Sequence, residues 1–285
     1  MKILNGKELA GFVKKRQAAE VRSLQAKGVL PKLIIIRDSN NPVIVKYVNL
    51  KIRYGQDIGV KVEDILVGST EEAKAAIISA NQDKSVSGII VQLPLTSAEK
   101  TDEVVSLIAP EKDVDGLSGG AEDLRMVHGE DIKAVGRPFD SATATAINWL
   151  LTGYDINLTG KKIALVGRGR LVGAPLYRMF KNSGLDVTVF GHNGDLRQLC
   201  DFDVVISATG VAHLIKPKMI KPGAVVVDAG TASEGGKLVG DLDPEIYHRP
   251  DLMAITPEKG GVGPLTVAVL FDNVIRSYKT FDFLG

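Results

Sequence analysis

Lys162-Ile163-Ala164-Leu165-Val166-Gly167-Arg168-Gly169-Arg170-Leu171-Val172-Gly173 reads as a buried strand that runs into a glycine-rich turn and then into a helix. The apolar run at residues 163–166 suits a parallel strand covered on both faces. Gly167 and Gly169 permit a tight turn, and from Leu171 onward the chain can form a helix whose N-terminal N–H groups face a phosphate. The spacing G-x-G-x-x-x-G is one residue longer than the usual dinucleotide fingerprint. As a pattern it is weak. Its place between a buried strand and the helix-forming residues 174–180 favours nucleotide binding over a structural glycine turn.

Further short strands are predicted at residues 187–190, 204–206, 224–227 and 253–255, which with the first make an open Rossmann-type sheet, preceded by a helix over 144–151. Upstream, Leu9, Phe12, Val13, Val21 and Leu24 recur at helical spacing between Gly6 and Gly28. Strands at 33–36, 60–66 and 87–91 alternate with helices at 45–54 and 71–81, so the first half is a second α/β domain. The fold class is therefore two-domain α/β, an N-terminal α/β domain plus a Rossmann-type NAD(P)-binding domain with a cleft between them. The break is placed near Gly136-Arg137-Pro138: residues 1–138, completed by a C-terminal helix over 265–285, form the first domain, and 139–264 the second.

The end of the next strand, Phe190-Gly191-His192-Asn193-Gly194, carries no acid to bind the ribose hydroxyls of NAD. Arg168 and Arg170 can instead meet an added phosphate, which favours NADP over NAD. His192 reads either as a hydrogen-bonding partner near the adenosine ribose or as a surface histidine. Two later turns, Ser207-Ala208-Thr209-Gly210 and Asp228-Ala229-Gly230-Thr231, lie where an open sheet presents its ligand loops. A second glycine-rich stretch, Pro257-Glu258-Lys259-Gly260-Gly261-Val262-Gly263-Pro264-Leu265-Thr266, makes a poor helix or strand but lets backbone approach a flat ligand closely. A helix is predicted to begin at Thr266, its free N–H groups facing the same ligand.

Composition narrows the class. The 285 residues carry 35 Lys plus Arg against 34 Asp plus Glu, so no strong field draws nucleic acid or a membrane. The one cysteine, Cys200, excludes an intrachain disulfide and a cysteine-rich zinc site. The sequence begins without the apolar run of a secretory signal and has no apolar span able to cross a bilayer, which points to a cytoplasmic enzyme. No metal-ligand cluster stands out, and none is expected.

Tyr47 and Lys51 stand four apart on a predicted helix, hence on one face, with Val43, Ile44, Val45, Val48 and Leu50 around them. A lysine against an apolar wall can have its pKa lowered toward neutrality, whereas on its own Lys51 reads more readily as a snorkelling surface residue. Gln92 reads by itself as a strand-end amide, and Asp115 as a cap for the turn at Gly116.

Tyr47-Val48-Asn49-Leu50-Lys51, Val91-Gln92-Leu93-Pro94-Leu95, Lys112-Asp113-Val114-Asp115-Gly116, Gly167-Arg168 with Val172-Gly173, and Gly260-Gly261-Val262-Gly263-Pro264 occur in that order. With these blocks the chain resembles the bifunctional methylenetetrahydrofolate dehydrogenase/methenyltetrahydrofolate cyclohydrolase family over essentially its whole length. The resemblance implies NADP-dependent oxidation of 5,10-methylenetetrahydrofolate to 5,10-methenyltetrahydrofolate, with hydride passing from the one-carbon bridge to C4 of NADP⁺. It implies next the hydrolysis of that product to 10-formyltetrahydrofolate, without a metal. In this scheme Lys51 is the central catalytic residue, Tyr47 stacks on or orients the folate ring, Gln92 bonds Lys51, and Asp115 anchors the pterin. Val91, Leu93, Gly261, Pro264 and Thr266 shape the substrate site. Thr143, Gly167, Arg168, Gly169, Arg170, Val172, Gly173, His192, Ala208, Thr209, Gly210, Asp228, Gly230 and Thr231 serve the dinucleotide. The resemblance alone implies that the N-terminal α/β domain is the catalytic domain. A homodimer is implied as well.

The chain departs from the family pattern in several places. Ile44 stands for a usual Ser, Thr96 for a Pro, and Ala212 for a Pro. Ser141-Ala142-Thr143-Ala144 replaces Pro-Cys-Thr-Pro, Gly169 replaces a Ser, and Glu258-Lys259 replaces Val-Pro. Two alternatives follow from these changes: a dehydrogenase with weak or absent cyclohydrolase activity, and a non-catalytic folate- or nucleotide-binding regulatory homologue.

Overall fold

The structure is a computed structural model and describes residues 1–130, 137–234 and 237–281. In chain order the first half gives β1 (Lys2–Ile3), α1 (Gly6–Gln25), β2 (Lys32–Arg37), α2 (Pro42–Ile58), β3 (Lys61–Leu66), α3 (Thr70–Gln82), β4 (Gly88–Val91), α4 (Thr101–Val105), α5 (Gly120–Val127) and α6 (Ala142–Gly153). The second half gives β5 (Lys162–Val166), α7 (Gly173–Asn182), β6 (Asp186–Phe190), β7 (Val204–Ser207), β8 (Val225–Asp228), β9 (Ala232–Glu234), β10 (Lys237–Val239), β11 (Ala254–Ile255) and α8 (Val262–Phe281). The chain divides into two compact units, one of residues 10–119, 135–142 and 267–285, the other of 1–9, 120–134 and 143–266.

The first unit is built on a parallel three-stranded sheet, order β3-β2-β4. Its central strand buries Leu33, Ile34, Ile35 and Ile36, as a β-branched run covered on both faces should. Asn41 accepts the Val43 N–H at 2.9 Å and Pro42 opens α2, so the helix starts where its first donors need an outside acceptor. The helix stops at Gly59, whose φ of 86° is the left-handed cap that glycine adopts without strain. Ile44, Val48, Gly55 and Ile58 form its buried stripe. A side chain at Gly55 would run into Val62, so the missing Cβ is what lets α2 lie on β3. Tyr54 stacks on Phe271 at 5.0 Å and donates to Gln17 Oε1 at 2.8 Å, while Gln17 Nε2 donates to the Ala268 carbonyl at 2.8 Å. Those bonds fix the inner face of α2 against the portions of α1 and α8 that belong to this unit.

The second unit carries a six-stranded parallel sheet, order β6-β5-β7-β8-β11-β1. Counted from β5, its strand order is the 2-1-3-4-5 of a doubly wound fold, extended at the far edge by β1. The order reverses between β5 and β7, which is where such sheets hold ligands.

Three expectations need correction. Residues 1–9 do not join the first domain, because Lys2 pairs with Ala254 and Ile3 with Ile255 in the second sheet. Residues 120–134 also fall in the second unit and include the unexpected helix α5, while residues 139–142, expected beyond the break near Gly136-Arg137-Pro138, fall in the first; Gly136 itself lies outside the described residues. Both glycine-loop helices start elsewhere than expected. The α7 helix begins at Gly173 rather than Leu171, since Val172 at φ −135° is still non-helical. The α8 helix begins at Val262 rather than Thr266, and Pro264 is tolerated there because the first-turn N–H groups have no intrahelical acceptor.

The α5 helix is held by a buried ion pair, Arg178 Nε of α7 to Asp123 Oδ1 at 2.7 Å, with Asp123 only 1% exposed. Removing one partner of such a pair leaves the other charge uncompensated in a poor dielectric. Asp123→Ala is expected to lower stability by about 3 kcal/mol in urea denaturation, and a change below about 0.5 kcal/mol would show the pair to be dispensable.

Candidate functional site

Within the first unit, β4 ends at Val91 and delivers Gln92, whose N–H continues the ladder to the Ile36 carbonyl at 2.8 Å. The Gln92 Nε2 donates to the Leu93 carbonyl at 3.1 Å, which leaves its oxygen free to point the other way. Lys51 on α2 fills that position, its amine donating to Gln92 Oε1 at 2.6 Å. An ammonium has donors only, so the amide must present its oxygen, and the Leu93 bond fixes it that way round. Tyr47 lies one turn earlier on α2 and is half-buried.

Asp115 sits in a loop built to hold it still. Asp113, its neighbour but one, accepts from Leu117 N–H at 3.1 Å, Ser118 N–H at 2.8 Å and Ser118 Oγ at 2.6 Å. Gly116 at φ 66° lets the backbone of Asp140 and Ser141 pass where a Cβ would be only 2.6 Å from it. Val114 accepts from Asn273 Nδ2 at 2.9 Å. The Asp115 carboxylate itself accepts from the Ala142 N–H, at the start of α6. Desolvation raises its pKa to about 6, against the opposing pull of Lys51. Desolvation lowers the Lys51 pKa, and the charge of Asp115 resists that change. The two groups thus approach neutrality from opposite sides, the pattern of paired acid and base sites. Lys112 of the same motif serves the fold: its amine caps α3 by donating to the carbonyls of Ala80, Asn81 and Asp83 at 3.0, 2.8 and 2.8 Å.

In the second unit, a Cβ on Gly167 would lie 2.5 Å from the Ala208 carbonyl oxygen, and φ there is 110°; a Cβ on Gly173 would strike the Gly167 carbonyl. These two glycines bring β5, the loop after β7 and the start of α7 into backbone contact at the switch point, and such a surface accepts a pyrophosphate. Gly169 has open space around it and no such constraint. Arg168 lies over Gly191 at the end of β6, its Nε 2.5 Å from where a Cβ would be, and faces His128 Nδ1 at 3.5 Å. A cation thus stands where an NAD site carries an acid. Arg170 packs against Gly120, and His192 is exposed.

Among the described residues no group of His, Cys, Asp and Glu is arranged to hold a metal ion, and no helix is long and apolar enough to cross a membrane. A surface concavity of about 400 Å³ lined by Pro42, Val45, Lys46, Asn49, Leu50 and Arg53 of α2 contains none of Tyr47, Lys51, Gln92 and Asp115.

Two family models match the chain: "Tetrahydrofolate dehydrogenase/cyclohydrolase, catalytic domain" over residues 4–115, and the NAD(P)-binding domain of the same family over 141–282. The chain belongs to the bifunctional methylenetetrahydrofolate dehydrogenase/cyclohydrolase family. It is 38% identical to the bifunctional protein FolD of Aquifex aeolicus, over 97% of this chain and 95% of that one. The crystal structure of the bifunctional FolD enzyme from Campylobacter jejuni superposes with a TM-score of 0.88 at 32% identity, covering 99% of each chain. That of the Trypanosoma brucei enzyme, complexed with NADP cofactor and inhibitor, gives 0.88 at 29% identity over 98% of each. Family membership carries with it the two-domain α/β architecture, a catalytic domain followed by a Rossmann-like NAD(P)-binding domain.

Against this family background, the structure brings together Lys51, Gln92 and the charge of Asp115 in the first unit. Gly261, Pro264, Thr266 and the dinucleotide residues belong to the second. Some expected side chains have other work. Val91 is 1% exposed and packed in the core with Ile34, Ile36 and Ile89, so it offers a substrate no side-chain surface. The Asp228 carboxylate accepts from Gly230 N–H, Asp241 N–H, Leu242 N–H and Tyr247 Oη, which uses up its oxygens. Burial raises its pKa. Thr266 Oγ1 bonds back to the Val262 carbonyl at 3.2 Å, and Thr209 Oγ1 accepts from Val211 N–H at 3.1 Å. Of the departures, Ile44 is buried in the α2 stripe, Thr96 N–H donates to Asp38 at 2.7 Å, and Glu258 and Lys259 are exposed. Sequence reasoning missed Asp113 and Asp241 as residues that shape the two sites; the only signal for Asp113 was its place in the Lys112-to-Gly116 block.

Proposed function

We propose that this chain oxidises 5,10-methylenetetrahydrofolate with NADP⁺ and then hydrolyses the methenyl product to 10-formyltetrahydrofolate, Lys51 moving the proton in the second step. Family membership supports the two reactions. The residue assignment is carried by one observation, the 2.6 Å bond from the Lys51 amine to Gln92 Oε1 in the field of Asp115. The dinucleotide, when bound, supplies the hydride acceptor for the first reaction.

In the second reaction water adds to the amidinium carbon and loses a proton; the carbon–N5 bond then breaks as N5 gains a proton and the new hydroxyl gives up its own to become the formyl carbonyl, so that one proton is released overall. A lysine with its pKa lowered by desolvation can hold and return that proton near neutral pH. Gln92 keeps the amine in one place, and Tyr47, four residues before it on α2, offers a ring to the pterin face. The Asp115 carboxylate accepts the pterin N–H pair. In the second unit, the backbone of Gly167 and Gly173 would receive the pyrophosphate, and Arg168 over Gly191 would take a 2′-phosphate. That placement supports NADP over NAD. Assembly as a homodimer belongs to the same reading.

Purified protein is expected to reduce NADP⁺ with methylenetetrahydrofolate and to consume methenyltetrahydrofolate faster than buffer does, both followed by absorbance. Arg168→Ala should raise KM for NADP⁺ by about tenfold or more while leaving that for NAD⁺ nearly unchanged. Absence of both reactions in folded protein would overturn the activity, the first reaction alone would remove the hydrolysis, and equal effects on the two nucleotides would remove Arg168 from its role.

A further inference from the structure

Asp241 lies outside every motif that drew attention in the sequence, yet its side chain is fully buried. Ser207 Oγ and the Thr209 N–H both donate to its Oδ2, each at 2.7 Å. Its Oδ1 is buried without a hydrogen-bond partner among the described residues, and it occupies the space a side chain at Gly230 would need. The Asp241 N–H goes in turn to Asp228 Oδ1 at 3.2 Å, which also takes the Gly230 N–H at 2.9 Å. The turns after β7 and β8 are therefore tied to each other through two acids, and Asp241 stands where the ties cross.

Burying a carboxylate with one oxygen unsatisfied is costly, and an apolar residue of similar size would serve mere packing better. The turn it holds, Ser207-Ala208-Thr209-Gly210, has only short side chains, and Gly167 already presses on its Ala208 carbonyl. Such a turn meets a ligand mainly through its backbone, so its usefulness depends on where that backbone is held. We infer that Asp241 is a positioning residue for the dinucleotide, fixing the Ser207–Gly210 turn relative to Gly230. This rests on the proposed NADP site and adds a residue to it.

The test compares Asp241→Ala and Asp241→Asn with the parent chain by NADP⁺ titration calorimetry, by dehydrogenase kinetics, and by hydrolysis of methenyltetrahydrofolate without dinucleotide. Asp241→Ala should weaken NADP⁺ binding and raise its KM about tenfold, with hydrolysis within about twofold of the parent. Asp241→Asn should recover most of the binding, because its amide oxygen can take both donors while its NH₂ faces the unpartnered side. Should Asp241→Ala fail to fold, Ser207→Ala, which removes one donor, should weaken NADP⁺ binding about threefold with hydrolysis kept. Unchanged NADP⁺ affinity in the variant that folds, or equal loss of affinity and hydrolysis, would overturn the inference. A parent chain that binds NADP⁺ but turns over neither folate would defeat the proposed activity and leave the calorimetric comparison intact.

Discussion

Lys51→Met protein is expected to bind NADP⁺ as the parent does and to open methenyltetrahydrofolate about 10² to 10⁴ times more slowly, the range a positioned proton carrier contributes. Methionine keeps the length and apolar bulk of the side chain, so α2 should retain its packing through Ile44, Val48 and Gly55. What is lost is the amine and the donor to Gln92 Oε1. Lys51→Arg separates charge from proton transfer: guanidinium restores a cation but does not release a proton near neutral pH. If charge alone mattered, the arginine variant would recover the hydrolysis. If proton transfer matters, both variants should be equally slow, and the parent's hydrolysis should rise with pH as the Lys51 ammonium gives up its proton, along a limb lying below the ordinary lysine range, as the direction of its pKa shift requires. Hydrolysis within about threefold of the parent in Lys51→Met would remove Lys51 from this role.

Much of the fold was legible because its elements announce themselves locally. The runs at Leu33 to Ile36 and Ile163 to Val166 are buried strands, and a β-branched tract of that length has few other ways to satisfy water. The α2 helix was legible over 45–54 from its apolar residues, but its first turn, opened by Asn41 and Pro42, and its last, closed at Gly59, were not. What was not legible depends on partners distant in sequence. The strand β1 has two residues and exists only because β11 lies beside it. The α5 helix carries Glu122, Asp123 and Arg125 and reads as surface, yet Asp123 is buried through Arg178. The same asymmetry divides the site. Residues alone left Lys51 as a snorkelling side chain and Gln92 as a strand-end amide, and only the family resemblance paired them. That the amide is turned toward the amine by the Leu93 carbonyl is a fact of three dimensions. Asp113 and Asp115 look alike in sequence. The structure distinguishes them by the donors each meets, three for Asp113 and a backbone N–H from Ala142 for Asp115.

That distinction sets the second large effect. Asp115 titrates near 6 in the folded protein against 3.8 for the free group. Folate binding that uses the ionised carboxylate should therefore weaken as pH falls through about 6, with KM for methylenetetrahydrofolate rising about tenfold for each further pH unit. The stability consequence has the opposite sign. Between 3.8 and about 6 the unfolded chain has released this proton and the folded chain has not, so stability declines as pH rises across that window and the cost persists above it. Asp115→Asn cannot ionise and escapes the cost. At pH 7 the linkage makes it more stable than the parent by up to about 3 kcal/mol, a shift in denaturation midpoint that fades as pH falls through about 6 and is lost below 3.8. The same variant should lose the acid limb of the KM profile and bind folate about a hundredfold more weakly at neutral pH. A less stable Asp115→Asn protein with normal folate affinity would reassign the carboxylate from substrate recognition to holding the start of α6 through the Ala142 N–H. Greater stability together with lost affinity is what a desolvated recognition group requires, since the burial that raises its pKa is the condition under which a charged acceptor discriminates most strongly for its N–H partner.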